Sequence, residues 1–312
     1  YYQASDLAGT NFLVLPGSDF INSDDHPNDD EGHGTHVTGT LAQTTNNSLG
    51  VAGIAFDTKI MPVKVLDANG SGTVTNVADG IYFATDNGAK IINLSLGSSS
   101  PSITLEKAVA YAYNHSVTVI AAGGNEYQYG NPPQYPAAYD AYVIAVGATR
   151  YDETRAYYSN TGSYIDLTAP GGDITVDQNN DGYGDGVLQQ TFDKDPSDFG
   201  YWFFQGTSMS TPHVSGVAAL ILALKPEFTP DQIRNTLQST AEDKGAVGRD
   251  DEYGWGIVDA YAALSSIAPP VSITLTTDGT TPFGILALGA TKDTTPSGTC
   301  LLYTSPSPRD RQ

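Results

Sequence analysis

The chain has 312 residues, enough for one large α/β domain with room for part of a second. It carries 35 acidic against 14 basic residues, a formal net charge of −21. That balance excludes nucleic acid as a partner, because phosphate binding needs clustered Lys and Arg. It suits solubility in a salty or extracellular medium, and it leaves carboxylates that can gather into metal loops.

In chain order, the apolar run 60–65 predicts a strand. Residues 76–87 predict a helix with Val77, Ile81 and Ala84 on one face. A strand follows at 91–94, a helix at 105–115, and strands at 117–122 and 143–146. Strands separated by helices of this length imply βαβ crossovers and a parallel sheet covered on both faces. Function in such sheets gathers at the carboxyl ends of the strands. Residues 208–224 are apolar almost all round (Val214, Val217, Leu220, Ile221) and predict a buried central helix. Thr229, Pro230 and Gln232 form a capping-box signature for the next helix. A last helix is expected at 258–265. No apolar run reaches the length of about 18 residues that a membrane span needs.

Three local sequences carry chemistry. Gly32-His33-Gly34-Thr35-His36 opens a helix with a histidine suited to proton transfer. Gly206-Thr207-Ser208-Met209-Ser210 opens the buried helix, where the first N–H groups lack partners and can face an oxyanion. Ala121-Ala122-Gly123-Gly124-Asn125 follows a strand and ends on an amide donor. Each is ordinary alone: a structural His, a helix cap, a turn. In this order on a parallel-sheet topology they are specific, and the chain resembles the subtilisin-like serine proteases from Asp6 to about Ser265.

The resemblance implies an α/β fold, three layers α/β/α around a central, mostly parallel sheet. It implies a serine endopeptidase with His33 as general base and Ser208 as nucleophile. Asn125 and the Ser208 N–H would form the oxyanion hole. Ser95, Leu96 and Gly97 would line the P1 pocket and pair with substrate backbone, opposite Gly70, Ser71 and Gly72. Ala121, Ala122 and Gly123 would form the other pocket wall. These walls are small and uncharged, which fits a broad or apolar preference. A secreted, extracellular monomer acting on protein or peptide substrates is expected. The alternative is a non-catalytic binding module on the same fold. An α/β-hydrolase is excluded, because it needs Ser before His and a Gly-x-Ser-x-Gly elbow. His33 and His36 form a His-x-x-His pair, which can bind metal, but the Glu that a zincin needs is absent, so no catalytic metal is expected.

One member of the triad is missing. The family's Asp-Thr/Ser-Gly motif occurs nowhere in the chain. Residues 1–7 match the segment that follows it, so the triad Asp is expected just upstream of Tyr1. Asp6 aligns with a calcium ligand instead. Three loops are candidates for structural Ca2+. Asp19, Asn22, Asp24, the His26 carbonyl and Asn28 form the first. Asp6, Asn47 and the carbonyls of Leu49 and Val51 form the second, by resemblance. Asp177, Asn179, Asp181, Tyr183 and Asp185 follow EF-hand spacing with Gly182 at the turn position, but Leu188 stands where a bidentate acid belongs.

Residues 1–268 therefore read as a peptidase domain lacking its first strand. After Pro269 and Pro270, residues 269–299 read as the start of a C-terminal β domain. Residues 300–312 read as a translated sequencing adapter: Cys300 to Asp310 resembles a transposon-end adapter in frame. The lone Cys300 lies in that tail and can form no disulfide within the chain.

Overall fold

The computed structural model describes residues 4–193, 195–196 and 198–268. The compact unit ends at Ile267. The β domain expected at 269–299 and the tail at 300–312 lie outside the described residues.

Four strands form the main sheet: β3 (Ile91–Leu94), β4 (Thr118–Ala122), β5 (Val143–Thr149) and β6 (Leu167–Pro170). They lie in the order β3-β4-β5-β6, all parallel. Two short strands, β1 (Asn11–Phe12) and β2 (Lys59–Ile60), pair parallel in a separate sheet. A hairpin, β7 (Val187–Thr191) with β8 (Gly200–Phe204), is antiparallel. The helices are α1 (His33–Ala42), α2 (Val74–Asp86), α3 (Ile103–Asn114), α4 (Thr207–Leu224), α5 (Pro230–Thr240) and α6 (Ala260–Ile267).

The strand period of 2 divides the core. On β4 and β5, Val119, Ala121, Val143 and Ala145 face the layer of α2 and α3, where Val77, Ile81, Leu105 and Val109 meet them. Ile120, Ile144 and Val146 face the opposite layer, against Val214, Val217 and Ile221 of α4 and Ile233 and Leu237 of α5. Ile120 is fully buried and Ile144 nearly so, each contributing about 1.5–3 kcal/mol. The expected three-layer α/β/α arrangement is therefore present. By length and composition α4 could cross a bilayer, yet 61% of it is buried inside the protein as the central core helix. The capping box of α5 forms as expected between Thr229 and Gln232.

The run 60–65 departs from expectation. Its ladder stops at Ile60, and beyond that only Lys64 bridges, to Asp19. One edge is held: Leu13 N–H donates to the Ile60 carbonyl and Lys64 N–H to the Ser18 carbonyl. On the other edge, among the described residues, no backbone hydrogen bond joins 61–65 to β3. Between them lies a cavity of about 1310 Å³, lined by Met61, Val63, Val65, Ile92, Leu94 and, at its rim, His33. The residues have strand propensity, but a strand needs a neighbour on its edge to satisfy its backbone groups.

Candidate active site

α4 begins where the backbone turns at Gly206. Its φ of 144° lies in the region that favours glycine. Ser208 is in the first turn, so its N–H has no intrahelical acceptor. The loop after β4 brings Asn125 alongside. Thr207 donates twice to Asn125 Oδ1, from its N–H at 2.9 Å and from its hydroxyl at 3.0 Å. The Thr207 hydroxyl also accepts from Gly124 N–H at 3.2 Å. With its oxygen so held, the Asn125 amide nitrogen is turned to the open side. A Cβ on Gly206 would stand 3.4 Å from Asn125 Nδ2 and 3.7 Å from Ser208 N. Two donors thus converge on one small space that glycine keeps clear, which is the layout of an oxyanion hole.

Ser208 Oγ donates to the Ser95 carbonyl at 3.3 Å, and Ser95 Oγ donates to the Ser208 carbonyl at 2.8 Å. The segment after β3 is thereby tied to the start of α4. Ser95, Leu96 and Gly97 line the same cavity as Gly70, Ser71, Gly72 and His33. Gly70 to Gly72 are exposed, as is Gly97. Ala121 to Gly123 are buried at the end of β4. There the Gly123 carbonyl accepts from Tyr164 OH at 2.8 Å, and a Cβ on Gly123 would press on Ile165 at 2.7 Å.

His33 starts α1, and its N–H donates to Glu31 Oε2 at 3.1 Å. Burial lowers its pKa from 6.5, and the nearby Asp29 charge opposes that shift. Among the described residues no carboxylate bonds to its ring. Asp29 is engaged elsewhere. Its Oδ1 accepts N–H bonds from Glu31 and Gly32, and its Oδ2 accepts from the Thr35 N–H and hydroxyl. Asp29 therefore shapes the turn that presents His33, a role the sequence reading missed. An Asp closely preceding a helix start was the available signal. Thr207 was missed likewise, although it adjoins Ser208.

His36 and His213, which follow His33 and Ser208 on the same helices, are packing residues. His36 is fully buried, stacks on Phe204 at 4.6 Å and bonds the Val187 carbonyl through Nε2 at 2.8 Å. Burial pushes its pKa down to about 4. His213 Nδ1 meets the Met209 carbonyl at 2.8 Å, and burial lowers its pKa too.

The calcium candidates differ in fit. In the Asp19 loop, the Asp19 carboxylate is turned onto its own turn. It accepts from the N–H groups of Ile21 and Asn22, both at 2.8 Å, and from Asn22 Nδ2 at 3.0 Å. Asp24 accepts from His26 N–H at 2.7 Å, and Asn28 Oδ1 is buried without a partner. At Asp6, which is fully buried, every neighbour donates: Asn47 Nδ2 at 2.6 Å, Gln43 Nε2 at 2.5 Å, Tyr201 OH at 3.1 Å and Val51 N–H at 3.4 Å. Asn47 Oδ1 accepts from Leu49 N–H, which fixes the amide's orientation. So arranged, donors satisfy the Asp6 carboxylate, and a cation here would need the Asn47 amide to turn its oxygen inward. Among the described residues, no three His, Cys, Asp or Glu side chains stand together to hold a metal.

Comparison with known proteins agrees with this geometry. The profile of the Subtilase family (peptidase S8) matches residues 13–256. Subtilisin Savinase of Lederbergia lenta is 42% identical over 250 residues, covering 80% of this chain and 84% of that one. M-protease of Shouchella clausii (strain KSM-K16) is 42% identical over 250 residues, and this chain spans only 59% of its length. Among solved structures, a protease of Pseudoalteromonas arctica PAMC 21717 superposes with a TM-score of 0.72 at 36% identity, covering 86% of this chain and 87% of that one. Shared sequence over most of the described fold, with the Asn125–Ser208 donor pair formed and His33 at the start of α1, makes this chain a member of the subtilase family.

Proposed function

We propose that this protein is a secreted serine endopeptidase that hydrolyses peptide bonds through an acyl-enzyme. The observation that carries the reading is the pair of donors, Asn125 Nδ2 and Ser208 N–H, beside Gly206. Ser208 Oγ attacks the scissile carbonyl and His33 takes its proton. The carbonyl oxygen becomes an oxyanion between the two donors. His33 then protonates the leaving amine, and water releases the acyl group. The substrate lies extended between the exposed segments at Gly70–Gly72 and Ser95–Gly97, adding a strand to each. The enzyme acts as a monomer.

His33 needs a carboxylate to hold its tautomer and stabilise its charged form. In this reading an Asp-bearing strand preceding Tyr1 seats between 61–65 and β3 and delivers that group to the rim where His33 lies. Two features support it: the open backbone edge of β3 and the apolar cavity beside it. Among the described residues no carboxylate meets the ring of His33, which also favours a second reading, a non-catalytic binding module, should that strand lack the Asp.

The experiment compares the chain as given with one carrying its native upstream sequence, each with a Ser208→Ala control. Casein cleavage and covalent labelling by a fluorophosphonate are the two readouts. The extended protein should cleave and be labelled at Ser208, with turnover on the order of 10⁴-fold above the shorter chain, the loss known for the triad Asp in proteases of this kind. A folded extended protein that neither cleaves nor labels would establish the binding-module reading.

A further inference from the structure

The segment Gly70–Gly72 leaves a turn whose own chemistry the catalytic reading does not use. Asn69 precedes Gly70. An asparagine followed by glycine is open to ring closure, because no side chain shields the glycine nitrogen or restrains its backbone. A second such pair, Asn87-Gly88, stands at the end of α2. The two pairs are alike in sequence and differ in surroundings.

Asn87 is locked into the helix end. Its N–H donates to the Phe83 carbonyl at 3.0 Å, and its Nδ2 donates to the same carbonyl at 2.8 Å. Gly88 N–H donates to the Thr85 carbonyl at 3.1 Å, and Ala89 N–H to the Ala84 carbonyl at 3.0 Å. Ring closure there must undo the last turn of a helix whose Ile81 and Ala84 are buried in the core.

Asn69 lies in an open turn. Residues 68–73 are exposed, Gly70 has a φ of 70°, and a Cβ on it would meet nothing within 4 Å. Gly70 N–H donates to the Asp67 carbonyl at 2.9 Å, and Asp67 N–H to the Ser71 carbonyl at 2.8 Å. Asp67 Oδ1 accepts from the N–H groups of Asn69 at 2.8 Å and Ser71 at 3.0 Å. These bonds stay within the turn, so it can open at the surface without disturbing the core.

We propose that Asn69-Gly70 is a site of spontaneous deamidation that rearranges the edge segment where substrate backbone pairs, and that Asn87-Gly88 is protected from it. The Gly70 nitrogen gives its proton to water and bonds to Asn69 Cγ. The Cγ–Nδ2 bond breaks, and Nδ2 leaves as ammonia after taking a proton from water. Water then opens the cyclic imide at either carbonyl. One opening gives aspartate at position 69. The other gives iso-aspartate, in which the main chain runs through the side-chain carbon.

The effect on substrate follows from the endopeptidase reading above. The bonds from Ser71 and then Asn69 hold the Asp67 carboxylate below its usual range, so a new carboxylate at position 69 stands beside a standing charge. The iso-aspartate form does more, because it lengthens the main chain just before Gly70. Strand addition depends on register, and the longer path takes Gly70–Gly72 out of step with an extended peptide. Loss of substrate binding therefore tracks the iso-aspartate fraction.

Lys64 and Lys90 bound a tryptic peptide, residues 65–90, that carries both pairs. The chain with Ser208→Ala is aged at mildly alkaline pH. Tandem mass spectrometry then locates the conversion, and an isoaspartyl methyltransferase labels the iso form. Neither readout needs proteolysis, so both stand whether or not the endopeptidase reading does. Conversion at Asn69 should outpace that at Asn87 by about 10-fold or more, since the end of α2 must open first. In the active, extended protein, kcat/KM on a peptide anilide should fall in proportion to the iso-aspartate fraction, with fluorophosphonate labelling of Ser208 unchanged. Asn69→Ser removes the reacting amide and should hold kcat/KM constant through the same ageing. No conversion at Asn69, or conversion at Asn87 as fast, would overturn the proposal. So would a kcat/KM that holds steady as iso-aspartate accumulates, or an equal decline in Asn69→Ser.

Discussion

Thr207 grips Asn125 with both its N–H and its hydroxyl, at 2.9 and 3.0 Å, and so decides which end of the amide faces Ser208. Under the proposed function Thr207 is therefore a positioning residue that aims the Asn125 amide.

Thr207→Val keeps the N–H bond and the shape but removes the hydroxyl. In the catalytically competent protein it should lower kcat about 10-fold with KM unchanged, equivalent to about 1.4 kcal/mol and one hydrogen bond. Asn125→Leu should cost about 10²–10³ in kcat, the loss known for the oxyanion-hole Asn of subtilisin. The double variant should be no slower than Asn125→Leu, because Thr207 acts through the amide. Steady-state kinetics on a peptide anilide decides this. Additive losses would refute the positioning role.

Activity should fall on the acid side as His33 takes up a proton, since only the neutral imidazole can accept from Ser208. Burial moves that titration below 6.5, and the triad carboxylate would move it back upward. A profile of kcat/KM against pH should therefore show one ascending limb. Activity that stays flat down to about pH 4 would remove His33 from the role of base.

His36 should remain neutral in the folded protein down to about pH 4. The unfolded chain binds a proton at this residue from about 6.5 downward, so stability is lost as pH falls through that window. The fully buried site makes the contribution on the order of 3 kcal/mol. Asp166 opposes it. Burial raises the Asp166 pKa to about 6, so the folded state holds its proton more tightly and gains stability as pH falls from about 6 to about 4. Denaturant unfolding between pH 4 and 7 should therefore show a shallow net dependence. Asp166→Asn should steepen the acid loss. An equal slope in the variant would contradict the opposing pair.

Tyr201 reaches from β8 to Asp6, tying the inserted hairpin to the short helical turn at Ser5–Leu7. Burial, then the hydrogen bond to Asp6, raises the Tyr201 pKa to about 12. Tyr201→Phe should lower stability by about 1 kcal/mol. If a cation at Asp6 were the stabilising partner, the loss would vanish in excess calcium. Unfolding with and without calcium separates the two cases, and an equal loss in both is expected.

The sequence alone determined the layers and the chemistry. Alternating Val119, Ile120 and Ala121, the apolar surface of α4 and the capping box at Thr229 are local patterns, written among neighbours and readable without a fold. The motifs around His33, Asn125 and Ser208 were legible through their order in the chain and the family resemblance they carry together. Tertiary structure decided what crosses long separations. Thr207 meets Asn125 across 82 positions and Tyr201 meets Asp6 across 195, and no local pattern encodes either. The same is true of the run 60–65, whose strand-like residues form only a short ladder because one edge has no neighbour. Propensity is a property of a residue and its neighbours. Pairing, burial and the orientation of an amide depend on what the rest of the chain brings alongside.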